Sequence, residues 1–170
     1  IMDFGAVQCT PQSPNCLFCP LSGSCRALSE GKVQQLPVKQ HRTKTTNRYF
    51  NYIYVRMGAH TLILKRTEDD IWKNLFELPL VETEKDLSEE EFLACPQFHA
   101  LFAEGEVRMV RTLLRGVKHV LSHRVIYTNF YEVTLPDNSS SFSSYQRVAV
   151  EDLGRYAVPR LIHAFLEKYV

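Results

Sequence analysis

The sequence predicts an α+β fold, because strand-like runs, a short helical stretch, further strands and a final helix follow one another over residues 48–170. Three observations carry that expectation. Aromatic and β-branched residues concentrate at Tyr49–Val55, Thr61–Lys65 and Val125–Leu135. Ser88-Glu89-Glu90-Glu91 has the form of a helix capping box. Behind Pro159, an apolar stripe at Val158, Leu161, Ile162, Phe165 and Tyr169 has helical spacing. With 170 residues, 45% of them hydrophobic and 11% aromatic, the chain can bury one full core and carry an appendage.

Taken in order, residues 1–28 read as the end of a helix followed by a cysteine-rich loop, too little to be a domain alone. Residues 29–47, with Gly, Pro, Gln, Lys and Thr and little apolar periodicity, read as a connector. Residues 48–170 are the second domain. In it, Tyr49–Val55 and Thr61–Lys65 are expected to form a hairpin about Gly58-Ala59-His60. The run Ile71–Val81 is stopped by Pro79, and the helix that starts at Ser88 should pack Phe92 and Leu93 inward and end near Pro96. Arg111–Leu121 and Val125–Leu135 read as two strands joined at Ser122-His123, with a serine-rich loop, Ser139–Ser144, after them. The opening Ile1-Met2, in what reads as mid-helix, has the look of a cut from a longer chain.

The net charge of +1 alone predicts no affinity for nucleic acid, but the charges are segregated. Lys32, Lys39, Arg42, Lys44 and Arg48 form one band without an acid, and Arg108, Arg111, Arg115, Lys118 and Arg124 form another. Acids dominate from Glu68 to Glu91. Such segregation fits one basic face turned to phosphates, and equally a set of solvated faces with no partner. No run approaches the roughly eighteen apolar residues of a membrane span, and the N-terminus lacks the basic and apolar regions of a signal peptide. A monomer in a cytoplasmic, reducing setting is expected, nucleoid-associated if the source is bacterial.

Cys9, Cys16, Cys19 and Cys25 follow the spacing C-x6-C-x2-C-x5-C, while Cys95 stands far away. Four thiols so close in sequence select a soft metal centre, zinc or iron–sulfur. Zinc ribbons usually use two CxxC knuckles, so spacing favours iron–sulfur without excluding zinc.

With Met2-Asp3-Phe4-Gly5-Ala6 before it and Cys19-Pro20-Leu21 inside it, this cluster resembles the 4Fe-4S loop that closes the catalytic domain of helix-hairpin-helix DNA glycosylases. Among these, the adenine DNA glycosylases of the MutY type, which act on adenine opposite 8-oxoguanine or guanine, continue into a further domain, as this chain does. The resemblance extends there. Leu64-Lys65-Arg66 and Ile71–Pro79 resemble the approach to a Nudix box, yet the residues after Pro79 supply neither its glycine nor its Arg-Glu-x-x-Glu-Glu, so a Nudix-like mixed sheet with helices is expected without the hydrolase chemistry. A solvated helix start accounts for Glu89, Glu90 and Glu91.

His119-Val120-Leu121-Ser122-His123 resembles the lesion-recognition loop of those enzymes, with Leu121 in place of the usual Phe. The resemblance implies that Ser122 meets the altered edge of 8-oxoguanine, which carries a hydrogen at N7 and a carbonyl at C8, through its hydroxyl and N–H. Leu121 would wedge against bases, with His119, Lys118, His123 and Arg124 about it. The plain alternatives stay open: His119 as a core histidine, Ser122-His123 as an ordinary turn. No catalytic residue is assigned here, since the family's catalytic Glu and Asp lie upstream of the cluster and Asp3 belongs to the helix leading into it. The resemblance thus implies a C-terminal part with a 4Fe-4S cofactor, labile if its support is incomplete, that binds double-stranded DNA containing 8-oxoguanine opposite adenine and is inactive alone as a DNA N-glycosylase of base excision repair. A stand-alone metal-containing nucleic-acid-binding or scaffold protein is the alternative.

Overall fold

Both edges of the first long strand are taken, and this decides the architecture. In the computed structural model, which describes residues 2–10, 12–36 and 45–170, β1 (Thr46–Arg56) pairs antiparallel with β4 (Leu80–Thr83) on one side and parallel with β6 (Arg124–Thr134) on the other. β5 (Met109–Val120) completes a four-stranded sheet of order β4-β1-β6-β5. A second sheet of order β3-β2-β7 contains Phe76–Glu77, His60–Lys65 and Gln146–Ala149. The hairpin expected of β1 and β2 is therefore only a turn. Met57 N–H donates to His60 C=O at 3.0 Å and His60 N–H to Met57 C=O at 2.9 Å, and the two strands then part into different sheets.

The larger sheet is covered on both faces, as period-2 alternation requires. Phe50, Tyr52 and Tyr54 of β1 point to one core with Ile126 and Phe130 of β6. Ile53 and Val55 point to the other with Tyr131 and Val133. Helix α5 (Arg160–Tyr169) covers the first face with Leu161, Ile162 and Phe165, and the Phe165 ring stacks on Phe130 at 4.1 Å. Helices α3 (Glu89–Leu93) and α4 (Pro96–His99) cover part of the second face through Phe92 and Phe98, Phe92 stacking on Tyr131 at 4.4 Å. The capping box is present: Glu91 N–H donates to Ser88 Oγ at 3.1 Å and Ser88 N–H to the Glu91 carboxylate at 2.8 Å. Pro96 opens a new turn of helix rather than only closing the old one, because proline suits the first helical position.

Two buried amides fix the register of the parallel pair. Asn51 and Asn129 are directly opposite, and Asn129 Nδ2 donates to Asn51 Oδ1 at 3.1 Å. Asn129 Oδ1 accepts from Gly116 N–H at 2.9 Å, at an irregularity of β5 where Gly116 has φ +68, a conformation costly to any residue with a Cβ. The serine-rich loop is also anchored. Hydrogen bonds from Ser139, Ser141 and the Ser140 N–H to the Glu106 carboxylate hold its pKa down at about 2.

The chain divides into two compact units, Ile1–Thr43 and Lys44–Val170. In the first, α1 (Met2–Gln8) and α2 (Arg26–Ser29) flank two short 3-10 turns, and none of its described residues is buried. Leu17 and Phe18 are 92% and 80% exposed. Among the described residues, no helix is long and apolar enough to cross a membrane.

Replacing Asn129 by Ala leaves Gly116 N–H without its acceptor and Asn51 Oδ1 without its donor, and should cost about 2–3 kcal/mol in urea unfolding. Ser88→Ala, which opens the capping box, should cost about 1 kcal/mol in the same measurement.

Candidate nucleic-acid interface

β5 and β6 run antiparallel to the end of the sheet, where Val120 faces Val125 and the chain reverses through Ser122-His123. Leu121 N–H donates to Arg124 C=O at 2.8 Å, and Thr46 N–H donates to His123 C=O at 3.1 Å, so the tip is held from both flanking strands. Ser122 and His123 are exposed, and among the described residues neither the hydroxyl nor the N–H of Ser122 has a protein partner. A donor and acceptor pair is thus presented at the end of a braced ribbon.

Alternation along β5 sorts the other expected contact residues. Val117 and Leu121 pack against the first core, and the His119 ring lies 5.8 Å from Trp72, itself edge-on to Phe50. His119 is therefore an inward-facing, half-buried ring, as the plain alternative had it. Leu121 is also half-buried against the core, so the wedge expected of it is not what the hairpin presents. The exposed apolar side chain beside the tip is Val120, 65% exposed, which faces outward with Lys118. Sequence reasoning passed over Val120, although the alternation of β5 already placed it opposite to Leu121.

Charge divides the same way. Asp70 accepts from Arg48 at 2.6 Å, from Arg66 at 3.2 Å and from Arg124. Arg48 also forms a two-pronged pair with Glu82, both bonds 2.6 Å, and Arg66 bonds Glu77 at 2.6 Å. Burial pushes the Asp70 carboxyl up, but hydrogen bonds from Arg48 and Arg124 outweigh it and hold the pKa well below the usual carboxylate range. Glu77, more deeply buried, is pushed up despite Arg66. Arg124, expected to meet phosphate, therefore shares its charge with an acid, and so does Arg48. Lys118 has no ion-pair partner among the described residues. Of the other basic band, Lys32 pairs with Glu30 at 2.8 Å, while Lys39, Arg42 and Lys44 lie outside the described residues.

Among the described residues no carboxylates gather free for a hydrolase centre: Asp70, Glu77 and Glu82 line one cleft but are paired with Arg48 and Arg66. Glu91 is engaged by the Ser88 cap and by Lys85 at 3.4 Å, and Glu90 faces solvent. In the N-terminal unit, Cys9, Cys16, Cys19 and Cys25 line one small cavity of about 30 Å³. Among the described residues, no three metal-binding side chains converge closely enough for a single ion. The two observations are compatible, since an iron–sulfur cluster holds its thiolates on separate irons and so farther apart than one zinc ion would. Four thiols about one cavity fit the cluster as a donor set. Cys95 lies elsewhere, packed against the second core.

A family model described as NUDIX domain matches residues 51–168. The adenine DNA glycosylase of Buchnera aphidicola subsp. Schizaphis graminum is 36% identical over 83 residues, covering 49% of this chain and 24% of that protein. That of Buchnera aphidicola subsp. Acyrthosiphon pisum is 26% identical over 172 residues, covering 99% of this chain and 46% of that protein. The chain thus spans less than half the length of these curated relatives. Among solved structures, the C-terminal domain of mouse MUTYH, in its complex with human PCNA, superposes with a TM-score of 0.58 at 14% identity, covering 72% of this chain and 86% of that one, a likeness of fold.

Lys118→Gln should lower the salt dependence of duplex binding by about one unit of log–log slope, and Arg124→Gln should lower it less, in anisotropy titrations across salt concentrations. Asp70 has the opposite signature. Its depressed pKa adds stability that is complete above the unfolded carboxylate value of about 4 and is lost as pH falls below it. Asp70→Asn should therefore weaken the domain at pH 7 and flatten the acid limb of its stability profile in urea titrations.

Proposed function

From the premise that the chain belongs to the NUDIX domain family, we propose that it is the DNA-binding, lesion-reading C-terminal part of an adenine DNA glycosylase. The observation that carries this reading is the braced hairpin tip, where Ser122 offers an unpartnered hydroxyl and N–H to the outside. It sits in a chain whose whole length aligns with part of an adenine DNA glycosylase. The 8-oxoguanine edge inverts the donor and acceptor pattern of guanine, carrying a hydrogen at N7 and an oxygen at C8. Ser122 can accept from the first with Oγ and donate to the second with its N–H. His123 stands beside it, and Lys118 supplies the phosphate contact.

The four cysteines would hold a 4Fe-4S cluster whose contribution is structural, since breaking a glycosidic bond by water moves no net electrons. The residues around it, Gln8, Ser22 and Leu28 among them, would be ordered by that attachment in a unit none of whose described residues is buried. Among the described residues no pair of carboxylates gathers at the hairpin, so in this reading acid–base chemistry on adenine would fall to other parts of the glycosylase. A Nudix hydrolase is disfavoured because Glu91 caps its own helix.

In binding titrations, the chain should prefer a duplex with 8-oxoguanine opposite adenine over one with guanine opposite adenine. Ser122→Ala should remove about 1 kcal/mol of that preference, because the backbone N–H remains. Equal preference in the variant and the parent would reduce the tip to a turn. Anaerobic preparation should give iron and sulfide bound through Cys9, Cys16, Cys19 and Cys25; stoichiometric zinc without sulfide in iron-sufficient cells would refute the cluster. Adenine release and 8-oxo-dGTP hydrolysis should both be absent, as judged by product chromatography.

A further inference from the structure

We propose a second nucleic-acid contact: the open end of the larger sheet, where Tyr49 and Tyr127 stand beside Lys118 and Val120, is a stacking platform for the DNA strand whose base the hairpin tip reads. The proposal rests on the DNA-binding reading above and adds a surface to it.

The sheet is covered unevenly. On the face of Phe50 and Ile126, the end near the tip is closed by Trp72, His119 and Leu121. On the opposite face, helices α3 and α4 reach Ile53 and Tyr131 through Phe92 and Phe98. Two residues nearer the tip on that same face, Asn51 and Asn129 are buried and hydrogen-bonded to each other. Two residues beyond them, Tyr49 and Tyr127 are directly opposite in the ladder and only half-buried. Their rings stack with centroids 5.4 Å apart and planes 17° apart, and among the described residues neither phenol has a hydrogen-bond partner. Lys118 is the ladder partner of Tyr127 on the next strand, and Val120 faces Val125 one step nearer the tip. A half-buried aromatic pair, a cation without an ion-pair partner among the described residues and an exposed aliphatic therefore lie in neighbouring positions of one sheet face and lead directly to Ser122.

The occupant follows from that composition. A third flat ring extends an existing stack at small cost, and every nucleobase has such a face. Lys118 can take the phosphate attached to the stacked nucleotide, and no acid on this face is paired with it, whereas every cation around Asp70 on the other face is already paired. Asp86, toward the inner end, accepts from Asn129 Nδ2 at 3.2 Å. An aliphatic residue beside the stack suits the sugar or the edge of an unstacked base. Aromatics raised on an open sheet, flanked by cations, are a general solution for holding splayed nucleotides. The partner is therefore a DNA strand whose bases are locally unstacked next to the lesion, rather than a protein.

The test uses the 170-residue chain. A single-stranded oligonucleotide and an 8-oxoguanine:adenine duplex, each carrying 5-iododeoxyuridine beside the read position, are irradiated with the protein, and adducts are mapped by mass spectrometry. Adducts on Tyr49 or Tyr127 are expected; adducts confined to residues 120–123 would overturn the platform. In anisotropy titrations, Tyr127→Ala should weaken both probes at least about fivefold while leaving the preference for 8-oxoguanine unchanged, and Tyr127→Phe should bind as the parent does. A folded Tyr127→Ala protein with parental affinity overturns the platform but leaves the lesion reading standing, since Ser122→Ala tests that through preference alone. If Tyr127→Ala does not fold, the adduct map decides. If the parent binds neither probe at low salt, the platform and the DNA-binding reading fail together.

Discussion

The facing amides of Asn51 and Asn129 constrain more of this domain than their size implies. They sit within a parallel pair eleven residues long, flanked on each side by strands that leave β1 no free edge. A slip by one residue would turn each of its side chains to the opposite face and would separate two buried amides that satisfy each other. Because β5 pairs with β6 in continuous register from Val117 to Val120, and Gly116 N–H just before that run is tied to Asn129, the same amides set which residues of the hairpin look inward. The direction in which Lys118, Val120 and Ser122 point is thus fixed by polar groups well inside the sheet.

Electrostatics then separates the two faces at that end. Three arginines, Arg48, Arg66 and Arg124, converge on Asp70, with Glu77 and Glu82 as further acceptors. This half-buried network ties the loop before β3 to the starts of β1 and β6, so its work is to brace the base of the hairpin. Pairs of this kind stabilise chiefly against losing one partner, because a stranded charge away from water is costly. The opposite face carries Lys118, which has no ion-pair partner among the described residues, and two stacked tyrosines. Of the basic band at residues 108–124, the fold ties Arg124 to Asp70 and leaves Lys118 exposed, with no ion-pair partner among the described residues.

The N-terminal unit obeys a different rule. None of its described residues is buried, so among them no apolar core opposes the chain entropy, and its four cysteines line one cavity. Thiolate ligation is the usual means by which so short a loop acquires a single conformation.

Much of this was legible without coordinates. The α+β class, the Ser88 cap, the inward Phe92, the paired strands meeting at Ser122-His123 and the amphipathic final helix each depend on local patterns, which the sequence carries directly: a capping residue, a period of two, a period near 3.6. The cysteine spacing likewise belongs to the chain itself. What the sequence could not supply was pairing between distant segments. Tyr49–Val55 and Thr61–Lys65 read as a hairpin because they are adjacent, yet β1 found its partners in β4 and β6, and adjacency does not reveal which edges are already taken. Arg124 read as a phosphate contact because its acid, Asp70, lies 54 residues away. Leu121 read as a wedge because only the packed core shows that its side of β5 is the covered one, leaving Val120 outside. Residue type and spacing determined which chemistry this protein could carry; long-range pairing, which fixes faces and neutralises charges, decided which of those residues are left to use it.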